Sequence, residues 1–406
     1  MDTLSVVIVG SGLAGLAAAR VLRERHTVTV YERGRPDVAT GGQGIASLPN
    51  AVKILDSLGF DRARVGSVVG GGLRSYNKTA ELQDDFEIDV KQRFGADWLT
   101  HKRSDFREEL LRLATSPDLP GTPAKMAWNT PVKDLDPDQG LITLADGSTV
   151  KADVVIVADG VHSRLRHSVL GNNDHRPRKI GLTCYRIASS AKDVKESLGH
   201  LPEWWNPKMV KGRTNMFTAL DGTNRFITAY PLRNHEYMNL SCIYPTPDKQ
   251  QTEELGSWHA DGDRAELLKV FQDFDKSLLK LLEIATEVKV WDLQDIDPLP
   301  TWIRGRAILI GDAAHAMSPL QGQGANMAIE DAEGMRLFLQ PGVQVEDVPR
   351  ILKQIDAVRR PRAAQVLGNT RAANKEASLE DRFMTAMDAN FSYSGILDAL
   401  NQESRV

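Results

Sequence analysis

The feature that most constrains the fold lies at the start of the chain, in residues 4–32. Residues 4–9 (LSVVIV) are apolar and rich in β-branched side chains, which predicts a buried strand. The sequence GSGLAG follows at 10–15 and leads into apolar residues at helical spacing. Residues 27–31 predict a second strand, which ends at Glu32. This order predicts a βαβ unit, which is the building block of an α/β fold with a Rossmann-like domain.

Each glycine of this turn has a distinct predicted role. Gly10 allows the tight turn, Gly12 lets the backbone approach a pyrophosphate, and Gly15 lets the helix pack closely on the strand. The first helical turn offers free N–H groups to phosphates, and Glu32 stands where a carboxylate accepts hydrogen bonds from a ribose hydroxyl. The alternative is a glycine-rich turn in an ordinary βαβ unit. The flanking strands, the helix and the terminal acid favour dinucleotide binding.

Composition excludes several classes of protein. The 406 residues are 41% hydrophobic and 26% charged, with a net charge of −4, which is typical of a soluble globular chain long enough for two domains. The small net charge gives no reason to expect nucleic acid or an anionic membrane as a partner, and no apolar stretch reaches the length of a membrane span. Cys184 and Cys242 form no C-x-x-C motif, so we expect buried, reduced thiols in a cytoplasmic protein. The oligomeric state stays open.

Three further stretches are candidates for contact with a ligand. A glycine-rich loop runs from Arg33 to Gly44 and either wraps a cofactor or is a plain surface loop. Arg103 directly precedes a predicted helix, and an exposed, solvated side chain is the alternative interpretation for it. Asp159 and Gly160 follow a buried strand, where open α/β sheets bind ligands, although a simple strand-to-helix turn explains them equally well.

The last cofactor-like stretch runs from 306 to 333. Residues 307–310 predict a strand, and Asp312 follows it in the sequence GDAAH. A loop with Pro319 and further glycines then leads into a helix, so this region is suited to hold a polar chain and an electron-rich ring. His315 has no partner at metal-ligand spacing, and we therefore predict no metal site.

Two regions outside these stretches differ in pattern. Residues 180–244 predict antiparallel strands, and Tyr185, Arg186 and Tyr230 lie on them. Each of these side chains either lines a pocket or is an ordinary sheet residue. From Val348 the chain predicts a charged helix with no assigned function, and its basic cluster is expected on a solvated face: Arg359, Arg360 and Arg362.

The cofactor-like stretches together resemble one protein family. The carrying motifs are GSGLAG at 10–15 with Glu32, ADGVHSRLR at 158–166 and GDAAHAMSPLQGQGANMAIEDA at 311–332. They are similar to the FAD-dependent aromatic hydroxylases, the single-component flavoprotein monooxygenases that include salicylate hydroxylase and p-hydroxybenzoate hydroxylase. The sequence TCYR at 183–186 resembles the salicylate-hydroxylase-like branch most. The resemblance covers nearly the whole chain.

The resemblance implies a role for each matching cofactor residue. The glycine turn and Glu32 would hold the ADP half of FAD, Asp312 would bind the ribityl chain, and Arg103 would also contact the cofactor. Asp159 would serve both FAD and NAD(P)H. The full set of expected cofactor-binding residues is Gly10, Gly12, Ala14, Gly15, Glu32, Arg33, Gly44, Arg103, Asp159, Gly160, Asp312, Pro319, Gly322, Gly324 and Ala325.

A smaller set of residues is expected beside the substrate. Arg186 either anchors a carboxylate or phenolate by charge-assisted hydrogen bonds, or pairs with a structural acid across the domain boundary. Some family members carry a histidine where this sequence has Ala46 and Ser47, so no substrate base is identified. The expected catalytic residues are Arg186, Tyr185, Tyr230 and Pro319.

The activity that the resemblance implies is aromatic hydroxylation by an FAD-dependent monooxygenase. Such an enzyme uses NAD(P)H and O2 to hydroxylate a phenolic or aromatic-acid substrate through a flavin C4a-hydroperoxide. The alternatives are an epoxidase of a prenylated secondary metabolite and a flavin-binding regulatory protein. The implied fold is a Rossmann-like FAD-binding domain with a mainly antiparallel substrate domain and C-terminal helices. The predicted bounds are 1–72, 97–180 and 285–370 for the FAD-binding domain, 73–96 and 181–284 for the substrate domain, and 371–406 for the C-terminal helical segment.

Overall fold

The computed structural model describes residues 3–36, 43–210, 212–247, 261–372 and 386–403. The strands in these ranges are β1 Ser5–Val9, β2 Thr27–Tyr31, β3 Gly44–Ser47, β4 Val68–Val69, β5 Gly72–Asn77, β6 Leu82–Glu87, β7 Leu99–Lys102, β8 Lys125–Ala127, β9 Val132–Asp136, β10 Leu141–Leu144, β11 Thr149–Lys151, β12 Val154–Val157, β13 Arg178–Ser190, β14 Thr214–Thr218, β15 Phe226–Leu232, β16 Tyr237–Pro245, β17 Val288–Asp295, β18 Ile303–Arg304 and β19 Ala307–Leu309. The helices are α1 Leu13–Leu22, α2 Pro49–Leu58, α3 Arg62–Val65, α4 Val90–Phe94, α5 Arg103–Thr115, α6 Arg166–Leu170, α7 Ala191–Leu198, α8 Pro207–Val210, α9 Arg264–Val270, α10 Lys276–Ile284, α11 Asp312–His315, α12 Gly324–Gly334, α13 Val348–Ala372, α14 386–391 and α15 Ile396–Glu403.

The first sheet has six strands in the order β18-β19-β12-β1-β2-β8 and is parallel except at β18. β1 lies inside this sheet, and its apolar run VVIV is buried, as expected for a strand covered on both faces. α1 packs against β1 and β2 and also against α5 and α12, and all of its residues are buried. The predicted α/β fold with a Rossmann-like unit is therefore confirmed.

The second sheet has seven strands in the order β17-β13-β16-β15-β14-β5-β6. Its pairings are antiparallel except the one between β5 and β14, which confirms the prediction of a mainly antiparallel sheet. Helices α7, α9 and α10 pack an apolar core against one face. Because side chains alternate along a strand, the other face presents a different set of residues to a large cavity. Two three-stranded antiparallel sheets, β9–β11 and β3-β7-β4, complete the set of sheets in the described chain.

The two large sheets depart from the predicted division of the chain at two bounds. β17 falls in the segment 285–370 that was expected in the FAD-binding domain, yet it pairs with β13 in the second sheet. β13 itself begins at Arg178, before the expected bound at 180, and Arg178 pairs with Asp295 at the end of β17. Strand patterns in the sequence do not reveal such long-range pairing. The division into domains, with its C-terminal segment, stays a prediction.

The expectation that the arginines of α13 lie on a solvated face is wrong. Arg359 is fully buried, and its guanidinium pairs with both Glu330 and Asp331 of α12. Arg362 also pairs with Glu330, whereas Arg360 is partly exposed. A run of basic residues in the sequence does not show which of them meet carboxylates from another helix. Burial here depends on the packing of α13 against α12.

Both cysteines are buried and neither is in a disulfide bond. Cys184 lies on β13 and Cys242 on the neighbouring β16, and burial raises the pKa of both thiols. Such thiols stay protonated at neutral pH and are poor nucleophiles. Within the described ranges, no helix has both the length and the apolar character needed to cross a membrane.

The close packing of α1 on β1 gives a test of the fold. A Cβ atom at Gly15 would lie 2.1 Å from the Gly10 carbonyl oxygen, so Gly15→Ala should force the helix away from the strand. We expect the free energy of unfolding, measured in denaturant without added ligand, to fall by about 3 kcal/mol. Gly368→Ala is the matched control, because Gly368 is exposed in α13 and has no atom within 4 Å of its ideal Cβ. This control should be neutral or stabilising by up to about 1 kcal/mol. Equal stability of the two variants would contradict the packing.

Candidate active site

A cavity of about 1340 Å³ lies where the carboxyl ends of β1, β12 and β19 face the second sheet. This edge of a parallel sheet is where α/β proteins bind ligands. The volume exceeds the ~300–1,000 Å³ of common small-molecule sites, so the cavity has room for a large cofactor together with a small substrate. The predicted site residues that line it are Gly12, Ala14, Gly44, Arg103, Gly160, Arg186, Tyr230, Asp312, Pro319, Gly322, Gly324 and Ala325.

The glycine turn between β1 and α1 is shaped to receive a phosphate. Gly10 has a φ of +107°, and a Cβ atom there would lie 2.4 Å from the Ala158 carbonyl oxygen. Gly12, by contrast, has no protein atom within 4 Å of its ideal Cβ and borders the cavity. α1 begins without a capping side chain and without an acid in its first turn, which leaves its N–H groups available to an anion. The local structure fits the pyrophosphate of a dinucleotide.

Glu32 directly follows β2 beside this turn, although it does not line the cavity. Its carboxylate accepts hydrogen bonds from the Ser11 N–H and hydroxyl, both at 2.8 Å, and from the Gly34 N–H at 2.7 Å. Burial acts to raise the pKa of Glu32, but these hydrogen bonds and the Arg107 charge outweigh it and hold that pKa below its usual range. The ionised carboxylate therefore orders the turn. Arg33 is exposed and outside the cavity lining, and positions 37–42 of the predicted wrapping loop lie outside the described residues.

Arg107, which the sequence analysis did not single out, holds the glycine turn from outside the cavity lining. Its Nη2 donates to the Ser11 hydroxyl at 2.8 Å and its Nε donates to the Ser11 carbonyl at 3.1 Å. The guanidinium also lies over the Trp128 ring, 5.8 Å from its centroid. Arg107 stands four residues after Arg103 in α5, and this i, i+4 spacing on one helix face was the available signal.

Next to the glycine turn, the cavity is lined by the turn at Asp312 and the loop before α12. Asp312 begins α11. Burial lowers the pKa of Arg103, and the charge of the nearby Asp312 carboxylate acts in the opposite direction. Pro319 begins a short 3₁₀ segment, and α12 then starts at Gly324 with neither a capping side chain nor an acid in its first turn. A helix N-terminus of this kind favours an electron-rich ring beside it.

Asp159 and Gly160 are neighbours in sequence but differ in whether they line the cavity. Gly160 lines the cavity with a φ of +87°, whereas Asp159 does not line it. One carboxylate oxygen of Asp159 accepts hydrogen bonds from the Arg164 N–H at 2.9 Å and the Leu165 N–H at 3.4 Å. Its other oxygen, Oδ1, is buried without a hydrogen-bond partner in the described chain. Asp159 thus orders the turn after β12, and its role toward FAD and NAD(P)H stays a prediction.

Arg186 and Tyr230 both line the part of the cavity formed by the second sheet. The Arg186 guanidinium lies over the Trp291 ring, 5.2 Å from its centroid, and Nε is buried without a hydrogen-bond partner in the described chain. Burial raises the pKa of Tyr230 to about 12, although the charges of Arg186 and Arg103 act in the opposite direction. Gly44 packs directly on Tyr230, because a Cβ there would lie 2.5 Å from its Cε2. The phenol is therefore neutral and held in place at neutral pH.

The expectation that Tyr185 stands beside Arg186 at the substrate is wrong. Tyr185 is the preceding residue of β13, so its side chain points to the opposite face of the sheet. It is 1% exposed, belongs to the core under α9 and α10, and donates from its hydroxyl to Glu266 Oε2 at 3.2 Å. Strand alternation was the signal that could have separated the two residues.

A wall of the cavity comes from α14, to which the sequence analysis assigned no site residue. Met387, Asn390 and Phe391 line the cavity from this helix. Arg362 donates to the carbonyls of Ala389 at 3.0 Å and Asn390 at 2.8 Å and so holds α14 in place. No motif marks this segment, because its place at the cavity depends on docking against α13.

Comparisons with known proteins agree with this geometry. The family model described as "FAD binding domain" matches residues 3–370. The chain is 29% identical over 374 residues to hispidin-3-hydroxylase of Neonothopanus nambi, covering 89% of this chain and 86% of that protein. It is 30% identical over 380 residues to 3-hydroxybenzoate 6-hydroxylase 1 of Aquipseudomonas alcaligenes, covering 91% and 88%. The solved structure of a salicylate hydroxylase substrate complex aligns with a TM-score of 0.76 at 24% identity over 98% of this chain and 97% of that one.

The open space at Gly12 allows a test that separates cofactor binding from folding. Gly12→Val should leave the melting temperature of the apoprotein close to wild type, because the ideal Cβ meets no protein atom and the backbone has an ordinary φ of −72°. The side chain would occupy the phosphate approach, so we expect FAD affinity, titrated by flavin fluorescence, to fall about a hundredfold or more. Normal FAD uptake by a folded Gly12→Val protein would contradict the assigned phosphate site.

Proposed function

The chain belongs to the FAD-dependent aromatic hydroxylase family and is a flavin-dependent monooxygenase, and from this premise we propose that it hydroxylates an anionic aromatic substrate with NAD(P)H and O2. The relatives named for hispidin and 3-hydroxybenzoate support an aromatic ring as the substrate class. When bound, FAD would supply hydride acceptance and O2 activation. The protein must bind the cofactor, orient the ring and exclude water.

We assign the cofactor to the half of the cavity that carries the two uncapped helix N-termini. The N–H groups at the start of α1 would bind the pyrophosphate, with Glu32 and Arg107 toward the adenosine side. Asp312 would bind the ribityl chain, and the segment from Pro319 to Ala325 would border the ring system. The open space at Gly12 supports this placement, because a backbone N–H can reach a phosphate only where no side chain intervenes.

The observation that carries the substrate assignment is the state of Arg186. In the described chain this cavity-lining guanidinium has no carboxylate partner, although its Nε is buried and lacks a hydrogen-bond acceptor. The residue is partly buried and borders the cavity, so a carboxylate or phenolate on the substrate would supply the missing anion by charge-assisted hydrogen bonds. The structural acid that was the competing partner for Arg186 is not found among the described residues.

Tyr230 is assigned to polarise and orient the substrate. Its pKa of about 12 means that the hydroxyl stays protonated across the physiological range, so it donates a hydrogen bond and does not act as a base. A phenol or phenolate oxygen near both Tyr230 and Arg186 would accept from the two groups together. That arrangement favours attack by the ring carbon beside or opposite the oxygen, while water is kept out by the surrounding sheet.

The activity is tested by oxidation of NADH and NADPH by the FAD-loaded enzyme with a panel of aromatic acids, phenols and prenylated indoles. We expect an aromatic acid or phenol to stimulate oxidation and to yield a hydroxylated product. The new oxygen in that product should carry the label from ¹⁸O2. Stimulation by the prenylated compounds alone, with an epoxide as the product, would contradict aromatic hydroxylation. Absence of any stimulated turnover across the panel would do the same.

The role of Arg186 is tested by Arg186→Met in the same enzyme. Removing a charge-assisted hydrogen bond should weaken binding of the activating anionic compound about ten- to a hundredfold, measured from the change in the flavin spectrum. FAD content and the oxidase rate without substrate should stay unchanged. Arg225→Met is the control, because Arg225 immediately precedes β15 of the second sheet but pairs with Asp221 and Asp273 and does not line the cavity. Equal substrate affinity in wild type and Arg186→Met would contradict the anchor.

A further inference from the structure

A cluster of buried charges lies behind the cavity, between α11, α12 and α13. We call it the buried ion cluster and define it as His315, Glu330, Asp331, Arg359 and Arg362. Glu330, Asp331 and Arg359 are all fully buried. None of the five residues lines the cavity, so the proposed chemistry gives them no direct part. The histidine, for which the sequence spacing showed no partner, meets the Asp331 carboxylate here.

Asp331 connects this cluster to the cofactor half of the cavity. Its Oδ2 accepts hydrogen bonds from the Gly311 N–H at 2.9 Å and from His315 Nε2 at 2.6 Å. Its Oδ1 accepts from Arg359 Nε at 3.1 Å. Gly311 lines the cavity and immediately precedes Asp312, and His315 is the last residue of α11. The Asp331 carboxylate therefore accepts hydrogen bonds from both ends of the segment that carries Asp312. The turn is also tight, because a Cβ at Gly311 would lie 2.8 Å from the Ala14 Cβ.

Glu330, the preceding residue, has an equally buried carboxylate with different partners. It pairs with Arg359, and it accepts from Arg362 Nε at 2.6 Å and Nη2 at 2.7 Å. It also accepts from Asn50 Nδ2 at 2.7 Å at the start of α2. No hydrogen bond joins Glu330 to the segment from Gly311 to His315 in the described chain. Glu330 and Asp331 therefore both pair with Arg359 and are both fully buried, but only Asp331 accepts a hydrogen bond from the turn at Gly311.

We propose that Asp331 is a positioning residue that holds the Gly311–Asp312 turn in the conformation that receives FAD. The inference rests on FAD as the cofactor of this cavity and on the contacts of one carboxylate. Asp331 faces three donors, two from the segment Gly311–His315 and one from α13, and an ionised carboxylate can accept from all of them. An amide at this position has one acceptor oxygen and an NH2 group, so at least one of the donors would meet another donor. Two of the three donors, the Gly311 N–H and His315 Nε2, belong to the segment that presents Asp312.

The protonation state of the cluster agrees with this role. Burial acts to raise the pKa of Asp331, but the charges of His315 and Arg359 outweigh it and hold that pKa below its usual range. Burial acts to lower the pKa of His315, and the Asp331 charge outweighs it and raises that pKa. The carboxylate is thus ionised and able to accept from all of its partners at neutral pH.

The test compares Asp331→Asn with Glu330→Gln in the full chain. Both variants replace a fully buried carboxylate by its amide beside Arg359, so both should lower the stability of the apoprotein in denaturant to a similar degree. Only Asp331→Asn should disturb the turn. We expect its FAD dissociation constant to rise about tenfold or more and the absorption bands of bound flavin to shift, while Glu330→Gln stays within about threefold of wild type with an unchanged spectrum.

Equal loss of FAD affinity in the two variants, or unchanged affinity and spectrum in Asp331→Asn, would overturn the proposal. His315→Gln keeps both carboxylates and decides the matter if Asp331→Asn does not fold. Loss of the His315 contact should weaken FAD binding by more than Glu330→Gln does, and affinity equal to wild type would count against the proposal. These readouts need no aromatic substrate. A failed substrate panel would therefore refute the proposed hydroxylation and leave the result for Asp331 unchanged.

Discussion

One buried guanidinium connects the segments that surround the cavity. Arg359 reaches from α13 to both acids of α12, and removing its guanidinium would leave two buried carboxylates without that partner, at a cost of about 3–5 kcal/mol. The helices α12 and α13 therefore keep one relative position. Arg362 extends the same anchor to α14 through two backbone carbonyls. The packing of α12 on α13 and the wall made by α14 thus depend on a single set of charges.

The two halves of the cavity are built from different kinds of secondary structure and therefore suit different ligands. Parallel strands end together at one edge, and the helices that follow them present free N–H groups there, which suits phosphates and an electron-rich ring. The antiparallel sheet instead presents alternate side chains from neighbouring strands, which places Arg186 and Tyr230 on one face. A glycine at position 44 lets β3 approach Tyr230 closely enough to fix its ring. The cofactor half is built mainly from backbone and the substrate half from side chains.

The wall formed by α14 places one polar group, the Asn390 amide, between the apolar side chains of Met387 and Phe391. Asn390 is 2% exposed, and its amide donates to Gln321 Oε1 at 3.3 Å, while Gln321 donates onward to the Asn369 carbonyl. This chain of hydrogen bonds orients the Asn390 amide and leaves its Oδ1 without a partner in the described chain. A buried acceptor in that state is best satisfied by a donor on a ligand or by water. Met387 and Phe391 beside it supply apolar contact.

The sequence by itself determined the elements whose signals are local. β1, the glycine turn and α1 follow from an apolar run, a glycine spacing and a helical period, and Asp312 follows from its place after β19. Tertiary structure alone decided the burial of Arg359, the hydrogen bond from Gly311 to Asp331 and the docking of α14. Each of these joins segments that are far apart in the chain. Tyr185 shows the same limit at close range. The motif that contains Tyr185 predicted it at the site. The pairing of β13, however, decided which face of the sheet packs in the core and which lines the cavity.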